Sequence, residues 1–497
     1  MPETALHIFN TLSRQKEKFE AINPPFVGLY SCGPTVYNEV HLGNLRTFLT
    51  FDIVQRYLTH LGYKVRYVRN ITDAGHLTDD ADAGEDKIEK RAKLEQLEPM
   101  EIVQKYTNSF HEVCTIFNLT PPSIEPTATG HIVEQIQMVK RIIANGYGYE
   151  SNGSVYFDVK KFMEKHEYGK LSGRNVDDLL EVTRDLSGTS DKRNSYDFAL
   201  WIKTPEAALQ KWDSPWGEGC PGWHLECSAM GTKYLGKQFD IHGGGFDLKF
   251  PHHECEIAQS VGADGVTPVR YWMHSNMLTV NGTKMSKSLG NSFLPKELFS
   301  GAHPLLEKAY SPMSVRFFML QSHYRSTLDF SNAALQAAER GFLRLLNSYK
   351  SLSKLEYKAG TVDAQEVLDV KQLCEAIYAN INDDFNTAES IAVLFDMSKK
   401  INAYKEGVLS IGTLDAETYE LLKSTFTVFF RDILGLDKEE EQDNNVTEGL
   451  MNLILELRKQ VRANKDFASS DKIRDALNEL NIKVKDGKDE TTWSIEQ

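Results

Sequence analysis

The sequence predicts an α/β protein built on a doubly wound parallel sheet of the Rossmann type. An insertion interrupts the sheet domain, and an α-helical bundle and a small C-terminal α/β module follow it. Three observations lead there. A strand–helix–strand pattern opens the chain, strand and glycine-rich loop signals return after residue 219, and a helical pattern runs from Phe317 to Leu436.

Residues 26–31, Phe-Val-Gly-Leu-Tyr-Ser, read as a buried strand. The loop Cys32–His41 follows, and a helix starts near Leu42–Gly43. Leu45, Phe48, Ile53, Tyr57 and Leu61 form its apolar stripe. Gly62 stops it, and a second strand follows at Lys64–Ile71. Such a unit starts a doubly wound sheet. Residues 73–87 are acidic and glycine-bearing, so they read as a loop, with helices following to about Leu119. Residues 120–219 read as a connective insertion with a hairpin-like piece around Gly153–Val159. The sheet domain is therefore expected in two halves, 1–119 and 220–276. Residues 277–328 form a lysine-loop junction, in which Asn281-Gly282 is a strong hairpin-turn signal. A helical bundle follows over 329–436, with Ser331 as an N-cap and Asn386 with Glu389 resembling a capping box. Asp437–Asn445 reads as a charged linker. The module 446–497 begins with a helix carrying Leu453, Leu457 and Val461.

Composition excludes several classes. The 497 residues are too many for one core, and 41% hydrophobic with 25% charged residues is ordinary for a soluble protein. No run of 18 uncharged apolar residues occurs, so no membrane span is expected. The N-terminal stretch Met1–Arg14 lacks a secretory apolar segment, which makes a cytoplasmic protein the expectation. Cys32, Cys114, Cys220, Cys227, Cys255 and Cys374 are few and scattered, which argues for a reduced compartment. The net charge of -14 argues mildly against nucleic acid, but local basic patches decide binding.

Two short strings point to phosphate chemistry. His41-Leu42-Gly43-Asn44 sits at a helix start, where unpaired backbone N–H groups and the positive dipole end suit an anion. Gly43 removes a side chain, so a nucleotide can lie close to the backbone. Lys284-Met285-Ser286-Lys287-Ser288 places two lysines in a small-residue loop, able to stabilise charge on a leaving pyrophosphate. Alone, the first string fits a capped helix and the second a solvated basic turn. Together they resemble the two signatures of class I aminoacyl-tRNA synthetases, with Asn44 where that family usually has histidine. The pair implies an enzyme using Mg-ATP. His41, Gly43, Asn44, Lys284 and Lys287 are the expected ATP-site residues, and all but Gly43 the expected catalytic ones.

His252-His253-Glu254-Cys255-Glu256 packs five possible metal ligands together, and on a helix His252 and Glu256 share a face. Spacing alone leaves zinc and purely structural roles both open. The longer strings Ser31-Cys-Gly-Pro-Thr-Val-Tyr, Gly222-Trp-His-Leu-Glu-Cys-Ser-Ala-Met and His242-Gly-Gly-Gly-Phe-Asp-Leu-Lys-Phe-Pro-His-His-Glu-Cys-Glu resemble the cysteinyl-tRNA synthetase family, as do Ile71-Thr72-Asp73 and the C-terminal module. The resemblance implies one zinc ion per chain held by Cys32, Cys227, His252 and Glu256, with Cys220 and Cys255 structural. It also implies a pocket lined by Thr72 and Trp223. Zinc prefers a soft thiolate over a hydroxyl, so it separates cysteine from serine better than an apolar pocket can.

The implied partners are L-cysteine, ATP and tRNA(Cys), with a monomer as the family expectation and no membrane. The bundle would dock the tRNA. The C-terminal module would reach the anticodon through Arg458, Lys459, Arg462, Lys465, Lys472, Arg474, Lys483, Lys485 and Lys488, with Trp493 stacking on a base or packing. Two rivals are weaker. A ligase joining cysteine to an amino sugar would not need residues 329–497, and a non-catalytic tRNA binder would usually lack the lysine loop or the metal ligands.

Overall fold

Four parallel strands organise the catalytic half. In the computed structural model they lie in the order Val269–Ser275, Phe239–Gly245, Phe26–Ser31, Lys64–Arg69. The structure describes residues 5–74, 86–174, 191–286, 289–437, 441–464, 466–480, 482–486 and 491–495, with the backbone alone at 441–448, 485–486, 491–492 and 494–495. The two central strands come from opposite ends of the domain. From Phe26–Ser31 the chain winds through the helix Leu42–His60 to Lys64–Arg69; from Phe239–Gly245 it winds the other way through His252–Asp264 to Val269–Ser275. The sheet therefore has a switch point between Phe26–Ser31 and Phe239–Gly245, and ligands of such sheets bind beyond the carboxyl ends of strands there.

The predicted strand at 26–31 and the helix from Leu42 are both present, and Leu45, Phe48, Ile53 and Tyr57 are buried. Gly62 follows the helix with φ +90°, a conformation that suits glycine. Within 120–219, Gly148–Ser151 and Ser154–Phe157 form the expected hairpin, which Phe198–Lys203 and Gly219–Pro221 extend into a four-stranded antiparallel sheet. Asn281 and Gly282 turn the chain at φ 48° and 75°, joining Leu278–Val280 to Thr283–Lys284. Ser331 caps Asn332–Lys354 by accepting from Ala334 N–H, and Asn386 accepts from Glu389 N–H.

Residues 220–292 differ from the sequence reading. They hold two helices, Leu225–Leu235 and His252–Asp264, besides strands and loops. Eleven of the thirteen residues in His252–Asp264 are buried, so the helix is covered on all sides and shows no amphipathic period. The linker is also shorter than expected, because a helix spans Glu441–Ala463. The chain divides into two compact units, 1–437 and 438–497. The second contains the helices Glu441–Ala463 and Phe467–Glu479 and the hairpin Ile482–Asp486 with Thr491–Ile495. Arg458 is 5% exposed there, which removes it from the surface phosphate contacts expected of it, and Lys465 and Lys488 lie outside the described residues. Among the described residues no helix is long and apolar enough to cross a membrane.

A buried ion pair locks the helix Leu42–His60 to its surroundings. Arg316 donates to Asp52 Oδ2 at 2.6 Å, to Phe117 O at 2.8 Å and to Leu434 O at 2.7 Å; Arg56 donates to the same Asp52 oxygen at 2.9 Å. Burial would raise the Asp52 carboxyl, but the charges of Arg316 and Arg56 and the Thr120 N–H outweigh it and hold it below its ordinary value. The stabilisation is therefore complete above the ordinary carboxylate value and fades as pH falls through the lower folded value. Asp52→Asn should cost roughly 3–5 kcal/mol at neutral pH, and the deficit should shrink toward acid in urea unfolding at several pH values. An equal deficit at neutral and acid pH contradicts this account.

Candidate nucleotide and metal sites

His41 is the N-cap of Leu42–His60, and its imidazole Nδ1 accepts from Gly43 N–H at 3.1 Å and Asn44 N–H at 3.4 Å. Asn44 returns the contact, its Oδ1 accepting from His41 N–H at 3.1 Å, which completes a capping box. Leu42 N–H donates to Phe293 O at 3.2 Å. The expected row of unpaired backbone N–H groups is therefore absent at this helix start. Side-chain donors stand in its place. With Nδ1 accepting, a neutral His41 carries its proton on Nε2, and with Oδ1 accepting, Asn44 turns its NH₂ away from the helix end.

The lysine loop reaches this helix start. A Cβ built on Gly43 would lie 3.0 Å from His41 Cε1 and 3.3 Å from Met285 Cε, so Gly43 leaves just the room that Met285 and His41 use. Asn291 staples the loop: its Oδ1 accepts from Ser286 N–H at 2.8 Å and its Nδ2 donates to Lys284 O at 3.2 Å. Lys284 is exposed at the hairpin end, while Lys287 and Ser288 lie outside the described residues.

The metal candidates converge at the switch point. Cys32 follows the strand Phe26–Ser31, Cys227 lies in the first turn of Leu225–Leu235, and His252 and Glu256 share a face of His252–Asp264. All four are buried. Cys32 Sγ lies 3.7 Å from Cys227 Sγ and 4.0 Å from Glu256 Oε1, and His252 Nε2 lies 3.2 Å from Glu256 Oε1. One ligand atom each from Cys32, His252, His253 and Glu256 fall within 4.8 Å of one another. His253 is thus an addition to the expected set, its Nε2 3.2 Å from Cys32 Sγ, while Cys227 meets Cys32 and His252. Cys220 and Cys255 are buried apart from this grouping, Cys255 3.4 Å from the Tyr168 hydroxyl.

A second ring of side chains holds the first. His242 Nε2 meets Glu256 Oε2 at 2.8 Å, His224 Nδ1 meets His252 Nδ1 at 3.0 Å, and His253 Nδ1 meets His274 Nε2 at 2.8 Å. Sequence reasoning named none of His224, His242 and His274 as support, since their signal is a hydrogen-bond partner far along the chain. Thr72 is buried, accepts from Asn70 Nδ2 at 3.1 Å and donates to Glu226 Oε2 at 2.8 Å. The half-buried Trp223 ring lies 4.7 Å from that of His252.

The electrostatics suit a cation. Burial would raise the Cys227 thiol, but hydrogen bonding with Cys32 and His252 and the His252 charge bring it down to about 6. Burial and the contact with Cys227 push Cys32 well up. Burial would lower His252, but Cys227 and Glu256 raise it to about 10. Burial would raise Glu256, but His242 and His252 bring it down to about 2. The His252 imidazolium, with His242 also shifted up by Glu256, thus offsets a thiolate and a carboxylate. A divalent cation can take over that balance as its ligands give up protons. Two thiols, an imidazole and a carboxylate, all buried, form a donor set that fits zinc.

Comparison with known proteins agrees with the geometry. The family model described as tRNA synthetases class I (C) catalytic domain matches residues 18–340, and the DALR domain matches residues 376–438. The cysteine–tRNA ligase of Phocaeicola vulgatus is 56% identical over 497 residues, covering 99% of each chain. That of Chlorobaculum tepidum is 50% identical over 503 residues, again covering 99% of each. Among solved structures, Mycobacterium tuberculosis methionyl-tRNA synthetase with methionyl-adenylate matches with a TM-score of 0.58 at 15% identity, over 82% of this chain and 89% of that one. The likeness to that structure is one of fold.

The thiols separate by test. Cys227→Ser should lose most bound zinc after dialysis, whereas Cys220→Ser should retain it, as metal analysis by atomic emission would read. Full zinc in Cys227→Ser removes Cys227 from the ligand set and leaves His253 to take its place.

Proposed function

The chain belongs to the cysteine–tRNA ligase family of class I aminoacyl-tRNA synthetases, and from that premise we propose how its own residues carry the reaction. The enzyme activates L-cysteine with ATP and transfers it to the 3′ end of tRNA(Cys). In the first step a carboxylate oxygen of cysteine attacks the α-phosphate, a new O–P bond forms and pyrophosphate leaves. In the second a ribose hydroxyl at the tRNA 3′ end attacks the adenylate carbonyl and AMP leaves.

The observation that carries the substrate assignment is the buried approach of Cys32, Cys227, His252 and Glu256 beyond the carboxyl end of Phe26–Ser31. These four residues would hold one zinc ion, with His253 the alternative to Cys227. Bound there, zinc would supply a soft Lewis acid that takes a thiolate in preference to a hydroxyl. Thr72 has its proton committed to Glu226 and one lone pair to Asn70, which leaves a second lone pair to accept from the substrate ammonium. Trp223, packed on His252, forms a pocket wall.

At the nucleotide, His41 Nε2–H and the Asn44 NH₂ donate to phosphate oxygens. The capping box that spends their acceptor atoms fixes both donors in place. Asparagine serves here because the cap needs an acceptor and the phosphate a donor, and its amide supplies both without a charge. Lys284, exposed at the end of the hairpin, and Lys287, three residues on in the sequence, neutralise the leaving pyrophosphate. No covalent enzyme intermediate is required, since positioning and charge stabilisation supply the rate.

The division of labour follows the sequence boundaries. Residues 1–119 and 220–276 hold the amino acid and the nucleotide, 277–328 bring the lysine loop to them, 120–219 connect the two halves, 329–436 dock tRNA and 446–497 reach the anticodon. The protein acts as a cytoplasmic monomer.

Lys287→Ala should slow cysteine-dependent ATP–pyrophosphate exchange by roughly 10²-fold or more, with zinc content unchanged. Unaltered exchange would remove Lys287 from the mechanism. Asn44→Ala should lose its half of the capping box as well as a donor, lowering exchange and costing about 1 kcal/mol of stability; calorimetry alongside the exchange assay separates the two effects.

A further inference from the structure

Arg46 lies two residues past Asn44 on the helix Leu42–His60 and is 3% exposed. Its guanidinium meets backbone rather than an acid. Nη1 donates to Asn276 O at 3.1 Å and Met277 O at 2.8 Å; Nη2 donates to His323 O at 3.2 Å and to Ser326 O. No acid offsets its burial, which alone pushes the group down to about 10, so it stays charged at neutral pH.

The four carbonyls sit under the lysine hairpin. Asn276 and Met277 lead directly into Leu278–Val280, the first strand of the hairpin that carries Lys284. His323 and Ser326 lead into Leu328–Phe330, which pairs with that strand in parallel. Asn276 adds two cross-links of its own, its N–H to Tyr324 O at 2.8 Å and its Nδ2 to Arg325 O at 2.8 Å. One planar fork thus joins the helix bearing His41 and Asn44 to both strands beneath the lysine loop. These pieces of the nucleotide site come from distant parts of the sequence, and Met285 packs beside Gly43, its Cε 3.3 Å from where a Cβ on that residue would sit. A lysine at position 46 has one nitrogen and cannot span four acceptors in two strands. Among the described residues Arg316 is likewise buried and bonds carbonyls, but it is anchored by Asp52. Structural demand for a buried charge is met there by an acid; at Arg46 it is met only by the backbone of the nucleotide site.

We propose that Arg46 is a positioning residue for the activation step: its guanidinium holds the base of the lysine hairpin in register with His41 and Asn44. The inference rests on the reading of His41, Asn44 and Lys284 as the nucleotide site. Misalignment then weakens the contacts made as pyrophosphate leaves and spares the amino-acid pocket, which lies on other elements.

The test measures cysteine-dependent ATP–pyrophosphate exchange in Arg46→Lys, with zinc content, thermal melting and the transfer of preformed cysteinyl-adenylate to tRNA(Cys) measured on the same samples. The expected result is a fall in exchange kcat of about 10–100-fold, with KM for cysteine, zinc content and transfer from the preformed adenylate unchanged. Arg46→Ala should lose more, and millimolar guanidinium chloride should restore part of its exchange while leaving Lys284→Ala as it is. Full exchange in Arg46→Lys overturns the proposal. So does a variant that loses zinc or cooperative melting along with exchange, since that outcome makes Arg46 a residue of the fold. Lys284→Ala tests the underlying reading separately: if it keeps full exchange, the nucleotide-site assignment fails whatever Arg46 does.

Discussion

The buried Glu256 carboxylate is the constraint around which the metal site is arranged. At 3% exposure it can remain ionised only if cations or donors surround it. His242 and His252 supply them, and each is held in turn, His242 Nδ1 by Tyr30 O at 3.1 Å and His252 Nδ1 by His224 at 3.0 Å. Tyr30 belongs to one central strand, His242 to the other, and Glu256 to the helix that follows it. Satisfying one carboxylate therefore fixes both strands and the helix at the switch point. The same demand explains why His252–Asp264 is buried almost throughout. A metal ligand in a dry site needs a helix with no wet face.

The second site depends on the first elements differently. Its helix leaves the strand Phe26–Ser31 through a loop that opens with Cys32 and ends at His41, so one loop connects the metal candidates to the cap of that helix. Thr47 Oγ1 meets Ser275 Oγ at 2.8 Å, tying that helix to the end of Val269–Ser275, from which the chain runs on to the lysine hairpin. The proposed amino-acid and nucleotide sites thus share one set of strand ends, which suits a reaction between a carboxylate and an α-phosphate.

Legibility followed the range of the interaction. The first strand, the helix from Leu42, the Asn281-Gly282 turn and the Ser331 cap were readable because each depends on residues within a few positions. Residues 220–292 read as strand and loop apart from the helical face that His252 and Glu256 could share, and in His252–Asp264 burial on nearly every side erases the helical period. The backbone N–H groups expected to greet a phosphate at His41–Asn44 proved to be spent on the capping box, a reciprocal contact that Asn44 makes possible. Cys32, His252 and Glu256 were brought together as expected from resemblance, with Cys227 beside Cys32. His253 joined them, and no spacing rule separates its ring from that of its neighbour. Arg46 had no sequence signal at all, since its partners are carbonyl groups that every residue possesses.

The central claim is that the buried thiol, imidazole and carboxylate group holds a metal that takes the substrate sulfur. Cobalt(II) in place of zinc tests it most directly, because thiolate bound to cobalt gives a charge-transfer absorption in the near ultraviolet. Titrating the cobalt protein with L-cysteine should strengthen that absorption and shift the visible bands to saturation at one equivalent, while L-serine should leave both unchanged. An identical response to the two amino acids, or none to cysteine by a protein active in pyrophosphate exchange, would contradict the account.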